Sequence, residues 1–243
     1  MKPLFRWIAL ALVALLALQV FFVARIAMMA TIAPQSTAFE RSEAWRLLAE
    51  KGRLRWRQQW VNYAEISDDL KRAVIASEDD GFAYHDGVDW DAVEKAWQTN
   101  AQAQAKVGVK PAGGAKPPRP MKIVGGSTIT QQLAKNLFLS GERTLLRKGQ
   151  EFALTFLLEV LLDKERILEL YLNHVEWGEG VFGAEAAAQH YYRKPAGKLT
   201  APEAARLAVM LPRPKYYEKL PNSAYLAARA GVILERLPKA ELP

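Results

Sequence analysis

The sequence predicts an all-α fold in which one N-terminal transmembrane helix precedes a single helical domain. A long apolar run lies near the N-terminus, and the remaining chain is a succession of segments with helical periodicity and helix-capping residues. The length of 243 residues suits one domain of ordinary to large size. We therefore expect an anchor over residues 1–34 and one domain over residues 35–243.

The anchor is predicted from Trp7–Ala24, eighteen residues in which Gln19 is the only polar one. At about 1.5 Å per residue this run spans roughly 27 Å, close to the hydrocarbon thickness of a bilayer. Lys2 and Arg6 precede the run, and no acidic residue occurs before Glu40. This charge distribution favours an N-terminus inside the cell and a domain on the far side of the membrane.

A cleaved signal peptide and a buried core helix are the alternative interpretations of the apolar run. The run is longer than a typical signal-peptide core, and no A-x-A cleavage pattern follows it promptly. An uncleaved anchor is therefore the preferred interpretation.

The domain after the anchor is predicted to be helical for most of its length. Thr37 and Glu40 form a capping-box pattern for a helix that ends at Gly52, and Ser67 can cap the next helix. Residues 53–62 alternate briefly between polar and apolar types, which suggests an extended or interfacial segment. Further helices are predicted at 89–105, 128–139, 144–162, 164–174, 183–192, 201–210 and 223–237.

Positive charge is concentrated outside the predicted helical body. A Pro-, Gly- and Lys-rich stretch predicts a mobile basic loop over residues 101–126, which hold five cations and no anion. With the three cations of residues 1–34 also set aside, 25 cations face 26 anions. A nucleic-acid-binding domain has a basic face on its folded body, so nucleic acid is not an expected partner. The loop suits contact with anionic lipid headgroups, and a solvated linker is the alternative.

Composition also excludes some chemistry. The absence of cysteine excludes disulfides, thiolate metal sites and thiol catalysis. Only three histidines occur, and none belongs to an H-E-x-x-H pattern, so we predict no metal ligands.

Glu78 is a candidate general acid or base. It ends an apolar helical run within AVIASEDDGFAYHDGVDW and precedes Asp79 and Asp80. Apolar surroundings and neighbouring acids raise the pKa of a carboxyl group, as proton transfer near neutral pH requires. Taken alone, an acidic helix end is more often a solvated turn.

The segment GGSTITQQLAKNLFL at 125–139 is a candidate anion site. Ser127, Gln131 and Lys135 are spaced as one helical stripe, after a glycine-rich turn that exposes helix amides. Such an arrangement suits a phosphate, although the P-loop pattern is absent. An ordinary capped helix with a polar face is the alternative.

A third cluster begins the apolar segment 143–162. Arg147, Lys148 and Glu151 share one face there. An ion pair is the structural alternative, but arginine before glutamate is the less favoured order on a helix. Two cations and a carboxylate at the start of an apolar helix therefore favour a functional site.

Together and in order, these segments resemble the peptidoglycan glycosyltransferase family (glycosyltransferase family 51) over roughly residues 65–237. The transpeptidase patterns S-x-x-K, S-x-N and K-T-G of bifunctional members are not found, so the resemblance is to monofunctional, membrane-anchored biosynthetic transglycosylases. The matching motifs are ED-x-x-F-x-x-H-x-G at 78–87, GGSTITQQLAKN at 125–136, RK-x-x-E at 147–151, KERILELYLN at 164–173 and RLAVMLPRPKYY at 206–217.

The resemblance implies a lysozyme-like helical domain that polymerises lipid II into β-1,4-linked glycan with inversion and release of undecaprenyl diphosphate. Glu78 would be the general base, and Glu151 would assist the donor side, directly or through a divalent cation. The positions that match the donor diphosphate and sugar site are Ser127, Gln131, Gln132, Lys135, Arg147 and Lys148.

The resemblance implies no firmly bound cofactor, although Mg²⁺ or Mn²⁺ at the donor diphosphate is compatible with it. The implied partners are lipid II, the growing lipid-linked glycan, the membrane and cell-wall synthesis or division proteins. The implied location is the bacterial inner membrane, with a single pass and a periplasmic domain. A lytic or hydrolytic enzyme of the same fold and a non-enzymatic cell-wall scaffold are the alternatives.

Overall fold

The computed structural model describes residues 2–107, 126–139 and 144–243, and this part of the chain is largely helical, as predicted. Residues 101–107 of the predicted basic loop are helical, because α4 continues to Val107, and the rest of that prediction lies on residues 108–125, outside the described residues. The helices are α1 Lys2–Met29, α2 Ala38–Lys51, α3 Asp68–Glu78, α4 Trp90–Val107, α5 Ile129–Phe138, α6 Leu145–Leu161, α7 Lys164–His174, α8 Ala184–Tyr192, α9 Ala201–Met210, α10 Pro214–Tyr217 and α11 Ala224–Arg236.

The anchor helix α1 is longer than the predicted apolar run. Its 28 residues correspond to about 42 Å, more than the roughly 30 Å of a bilayer core. The excess length is packed into the domain, where Phe22, Ile26 and Met29 are buried. Arg166 of α7 donates from Nε to the Met29 carbonyl oxygen at 2.6 Å, so a charged group caps the end of α1. The boundary at residue 34 stays a prediction, although the last turns of α1 belong to the domain core.

Two groups of helices form the body of the domain. Helix α3 packs against α9 and α11, and α5 packs against α6 and α7. The packed face of α9 includes Ala204, Ala205 and Ala208, all fully buried, and these small side chains let neighbouring helices approach closely. Helix α3 of the first group ends close to the start of α5 of the second group, and the candidate site lies at this junction.

A small sheet is the feature that the all-α prediction missed. It consists of β1 Arg57–Gln58, β2 Glu176–Gly178 and β3 Val181–Phe182, in the order β1-β3-β2. Strand β1 pairs in parallel with β3, and β2 pairs with β3 antiparallel. The extended segment predicted at 53–62 is therefore confirmed only for its central residues.

The helix caps show where the local sequence was sufficient to predict the structure. Thr37 forms the predicted capping box, since its Oγ1 accepts from the Glu40 amide at 3.0 Å and its own amide donates to Glu40 Oε2 at 2.7 Å. Ser67 precedes α3 as predicted but makes no side-chain cap. Its hydroxyl donates instead to the Leu199 carbonyl oxygen at 3.0 Å, a contact between distant parts of the chain.

Gly180 turns the chain between β2 and β3, and this suggests a stability test. Its φ is +72°, and an added Cβ would lie 2.0 Å from the Arg55 carbonyl oxygen. We expect Gly180→Ala to lower the free energy of unfolding by more than about 1 kcal/mol, because backbone strain and a clash act together.

Gly231→Ala in α11 is the matched control, because an added Cβ there meets nothing within 4 Å. We expect that change to stabilise the protein by about 0.5–1 kcal/mol. Thermal unfolding in detergent measures both variants. Equal behaviour of the two alanine variants would contradict the structural role of Gly180.

Candidate active site

The candidate site is a cleft bounded by α2, α5 and α6. Its cavity has a volume of about 390 Å³. Seven of the eight predicted site residues line it, and Glu78 contacts one of these seven. Phe39 and Ser42 of α2 and Asn136 of α5 also line the cavity and were not predicted. The predicted residues lining it are Ser127, Gln131, Gln132, Lys135, Arg147, Lys148 and Glu151.

The stripe predicted on α5 faces the cleft, but the amides at the start of the helix do not serve an anion. The Gln131 amide donates to Thr128 Oγ1 at 3.1 Å, and the Thr128 amide donates to Gln131 Oε1 at 3.2 Å. The Ile129 amide donates to Asp79 Oδ2 at 2.9 Å. The prediction that these helix amides bind phosphate is therefore wrong for these three, which are already engaged within the protein.

Glu78 lies at the last turn of α3, half-buried at the edge of the cleft. Gln132 donates from Nε2 to Glu78 Oε2 at 3.0 Å. Tyr171 in turn donates its hydroxyl to Gln132 Oε1 at 3.0 Å, which orients the Gln132 amide group with its NH₂ toward Glu78. Tyr171 is fully buried, so this chain of hydrogen bonds is anchored in the core.

Burial raises the pKa of Glu78, and the neighbouring Asp79 charge adds to this effect. Hydrogen bonds from Gln132 and Ser77 and the Lys135 charge oppose it. The prediction that apolar surroundings and nearby acids raise this pKa is confirmed, with burial as the larger cause. Such a carboxyl group is suited to accept a proton near neutral pH.

Asp79 connects the two sides of the cleft and was not predicted as a site residue. Its Oδ1 contacts His85 Nε2 at 2.8 Å, while its Oδ2 accepts from the Ile129 amide. Asp79 is buried and fully occupied by these two contacts, so it holds the start of α5 against the end of α3. The spacing of Asp79 and His85 within the E-D-x-x-F-x-x-H pattern is the sequence signal that could have revealed this pair.

Lys135, Arg147 and Lys148 give the cleft a cationic lining. Buried Glu151 accepts from Arg147 Nη1 at 3.0 Å and pairs through its other oxygen with Lys148. The ion pair that helix statistics disfavoured is therefore present. Partial desolvation in the cleft lowers the pKa of Lys135; Glu151 opposes this shift, and the Arg147 and Lys148 charges reinforce it.

Among the described residues, three cations and one carboxylate line the cleft, so this lining favours a multiply charged anion. A protein-held divalent cation does not fit it. Both oxygens of Glu151 already contact cations, and the described residues contain no cluster of three or more potential metal ligands. Metal ions require several free oxygen donors, which this part of the cleft does not offer.

The raised pKa of Glu78 predicts how its neutral variant behaves. The folded protein holds this proton more tightly than the unfolded chain, whose carboxyl has the ordinary value of 4.5. The stabilisation is present below that value and is lost as the pH rises through the raised pKa. We expect Glu78→Gln to be more stable relative to the wild type at about pH 8 than at about pH 5.

Thermal unfolding at the two pH values measures this difference. Asp80→Asn is the control, because Asp80 is exposed and adjacent in sequence. If the stability of Glu78→Gln relative to the wild type fell with rising pH, burial could not be the dominant cause of the shift in the pKa of Glu78.

Comparison with known proteins identifies the family. The transglycosylase family model matches residues 46–238. Biosynthetic peptidoglycan transglycosylases are similar to this chain over nearly its whole length. The protein of Burkholderia thailandensis is 52% identical over 98% of this chain and 88% of the relative. The protein of Paraburkholderia phytofirmans is 50% identical over 98% of this chain and 94% of the relative, and that of Herminiimonas arsenicoxydans is 49% identical over 100% of this chain and 98% of the relative. The chain therefore belongs to the transglycosylase family and is a membrane-anchored peptidoglycan glycosyltransferase.

Proposed function

We propose that the enzyme polymerises lipid II into β-1,4-linked glycan, with inversion and release of undecaprenyl diphosphate. The observation that supports this most is the polarity of the cleft. A half-buried carboxyl group with a raised pKa, Glu78, contacts Gln132 of the cleft lining, and three cations, Lys135, Arg147 and Lys148, line the same cleft. A transfer that removes a proton from one sugar and expels a diphosphate from another requires both a proton acceptor and positive charge.

Glu78 acts as the general base. Its carboxylate accepts the proton of the acceptor 4-hydroxyl as that oxygen attacks the donor anomeric carbon from the side opposite the diphosphate. The bond between the anomeric carbon and the diphosphate oxygen breaks, and its electron pair leaves with the diphosphate. Glu78 later releases the proton to solvent. General-base assistance of this kind contributes about 10²–10⁴-fold to a rate.

Lys135, Arg147 and Lys148 stabilise the negative charge that develops on the leaving diphosphate. Fixed cations in a partly desolvated cleft stabilise such charge more than solvent does, because they need no reorganisation during the reaction. Glu151 holds Arg147 and Lys148 in place through its two ion pairs. Its role on the donor side is therefore to position these cations.

Neutral polar groups complete the substrate site. Ser127 is exposed in the cleft and is suited to hydrogen bonding with the donor sugar and diphosphate. Gln131 is buried and joins this surface to the helix cap. Gln132 orients the base, as its hydrogen bond to Glu78 indicates. These roles require no metal ion.

The cationic flank of α1 supports an N-in orientation, with the domain on the periplasmic face of the inner membrane. The growing lipid-linked glycan is the expected second substrate, and cell-wall synthesis or division proteins are expected partners. Nucleic acid is not expected, because the net positive charge lies outside the helical body.

A lytic or hydrolytic enzyme and a non-enzymatic scaffold are the competing functions. Hydrolysis of finished glycan would use Glu78 as an acid but would leave the three cations without a substrate group to neutralise. A scaffold would need neither a raised pKa at Glu78 nor a cationic cleft. The cleft therefore favours polymerisation over both.

Incubation of the full chain with labelled lipid II in detergent or vesicles tests the proposal. We expect glycan polymer from the wild type and a loss of at least about 100-fold in Glu78→Gln, since the base is removed without a change of size. Asp80→Asn is the control and keeps its activity. Arms with Mg²⁺, Mn²⁺ and a chelator test whether the three cations suffice without metal.

Release of fragments from isolated cell wall without polymer would support the hydrolase, and the absence of both products would support the scaffold. Substantial polymerisation by Glu78→Gln would contradict the assignment of the base.

The hydrogen bond from Tyr171 to Gln132 leads to a pH prediction. In Tyr171→Phe the Gln132 amide group can turn and present its oxygen to Glu78, which favours the protonated carboxyl. We expect the acidic limb of kcat/KM to move to higher pH and the rate on that limb to fall about tenfold, because a hydrogen bond to a charged group contributes about 1.5 kcal/mol.

Tyr191→Phe is the matched control, since the Tyr191 hydroxyl donates to the Trp177 carbonyl oxygen at 2.8 Å outside the cleft. Comparable thermal stability of the two variants separates an effect on the base from a general loss of packing. An unmoved acidic limb in Tyr171→Phe would show that the hydrogen bond does not tune Glu78.

A further inference from the structure

A cluster of three charged side chains lies outside the cleft, and we refer to it as the Lys215 cluster. It consists of Glu43 of α2, Glu176 of β2 and Lys215 of α10. Lys215 belongs to the motif at 206–217, and no residue of that motif lines the cleft. Its Nζ pairs with Glu43 Oε1 and lies 3.2 Å from Glu176 Oε1. One ammonium group therefore connects three elements that are far apart in sequence.

The two carboxyl groups of the cluster are both buried, but they are not equally well satisfied. Glu43 accepts hydrogen bonds from Arg46 Nε at 3.0 Å and from Lys215. Glu176 Oε1 has no hydrogen-bond partner among the described residues, because Lys215 approaches it without hydrogen-bond geometry. A buried charged oxygen without a hydrogen bond is costly, so this site favours the protonated form of Glu176.

The surroundings of Glu176 place its titration near neutral pH. Burial raises the pKa of Glu176 to about 7; the Glu43 charge adds to this shift, while Lys215 and a backbone hydrogen bond from Gly180 oppose it. Hydrogen bonds from Lys51 and Arg46 lower the pKa of Glu179, so that neighbouring group stays ionised at neutral pH. The other charged or titratable groups around the cluster are Arg46 of α2, Glu179 in the turn after β2, Tyr191 of α8 and Glu218 after α10.

We propose that the Lys215 cluster holds α2 against β2 and α10 in a proton-dependent manner. When Glu176 carries a proton, Lys215 is available to Glu43 alone. When Glu176 is ionised, two buried carboxylates share one ammonium group and repel each other. Helix α2 is therefore held more firmly below neutral pH than above it.

The attachment of α2 matters because this helix forms one wall of the cleft. Phe39 and Ser42 line the cavity, whereas Glu43 is buried and does not line it. Helix α2 also packs against α5, which carries Lys135. No member of the Lys215 cluster lines the cleft, so its three side chains are positioning residues that act on the cleft through α2.

The direction of the pH effect follows from the raised pKa of Glu176. The ordinary value of this carboxyl group is 4.5, and its value in the folded protein is about 7. The stabilisation is fully present below 4.5 and is lost as the pH rises through about 7. Since detachment of α2 exposes Glu176 to water on this proposal, the equilibrium constant for detachment should rise about tenfold between about pH 6 and about pH 8.

Hydrogen exchange of the full chain in detergent measures this detachment. The observed exchange rate of each α2 amide is divided into its intrinsic rate at the same pH, which gives a protection factor free of the intrinsic pH dependence. We expect wild-type protection in α2 to fall about tenfold between about pH 6 and about pH 8, and protection in Glu176→Gln to change by less than about twofold.

Glu179→Gln is the matched control. Glu179 pairs with Arg46 and Lys51 of α2, and its lowered pKa keeps it ionised at both pH values. Its removal should lower protection of α2 at both pH values and leave the change between them as in the wild type. Loss of the pH dependence in Glu179→Gln as well as in Glu176→Gln would contradict the assignment to Glu176.

Two further variants separate titration of Glu176 from a general loss of packing. The Glu43 charge raises the pKa of Glu176, and the Lys215 charge lowers it. The midpoint of the fall in protection should therefore move to lower pH in Glu43→Gln and to higher pH in Lys215→Met. A mere weakening of the contact would produce no such opposite shifts, and midpoints that move in the same direction would overturn the proposal.

A second titrating group is the main competing explanation. Histidine also titrates near neutral pH, and His174 contacts Glu40 in the first turns of α2. A pH dependence that persists in Glu176→Gln would assign the effect to such a group and overturn the proposal, as would wild-type protection that does not change with pH. None of these measurements uses lipid II, so their outcome is independent of the proposed function.

Discussion

The contact on which the rest of the site depends is the hydrogen bond between the Asp79 carboxylate and the Ile129 amide. It joins the residue that follows α3 to the first turn of α5, across fifty positions of sequence. Through this contact Glu78, at the end of α3, is held beside Gln132 of α5. Since α5 also packs on α6, the same contact helps to position Glu78, the proposed base, relative to the cations of α6. Catalytic groups must be held to within fractions of an ångström, and a buried charged hydrogen bond provides that constraint.

The two glutamates of the site illustrate how surroundings divide roles between identical side chains. Glu78 is half-buried and receives its hydrogen bonds from neutral groups, so burial raises its pKa. Glu151 is buried between Arg147 and Lys148, and its oxygens are engaged by those cations. One carboxyl group is therefore available for protons, and the other organises positive charge. Their separation into distinct environments is what suits the cleft to a reaction with a proton acceptor on one side and an anionic leaving group on the other.

Much of the fold and most of the candidate site could be predicted because the signals are local. Helical periodicity predicted nearly all the helices of the described residues, and the Thr37 capping box formed as its spacing indicated. The features that were missed depend on distant residues. The strand at Arg57 exists because Val181 pairs with it, and the Ser67 hydroxyl bonds Leu199 instead of its own helix. The amides that begin α5 were predicted to bind phosphate, yet Asp79 accepts a hydrogen bond from one of them. No periodicity reveals such a partner before the chain is folded.

The anchor helix is packed into the domain and is more than a tether. The proposed donor has a long lipid chain, which leaves the bilayer only at a cost of about 0.8 kcal/mol for each methylene exposed to water. On that proposal the enzyme meets its donor at the membrane surface. A flexible tether would bring the domain to that surface without orienting it. Here the ring of Phe22 packs edge-on against the ring of Phe138, with 5.4 Å between the ring centroids, and Arg166 caps the end of α1. The helix is therefore fixed to the domain. Because Phe138 ends α5, the helix that lines the cleft is held against the anchor by the same packing that buries the core.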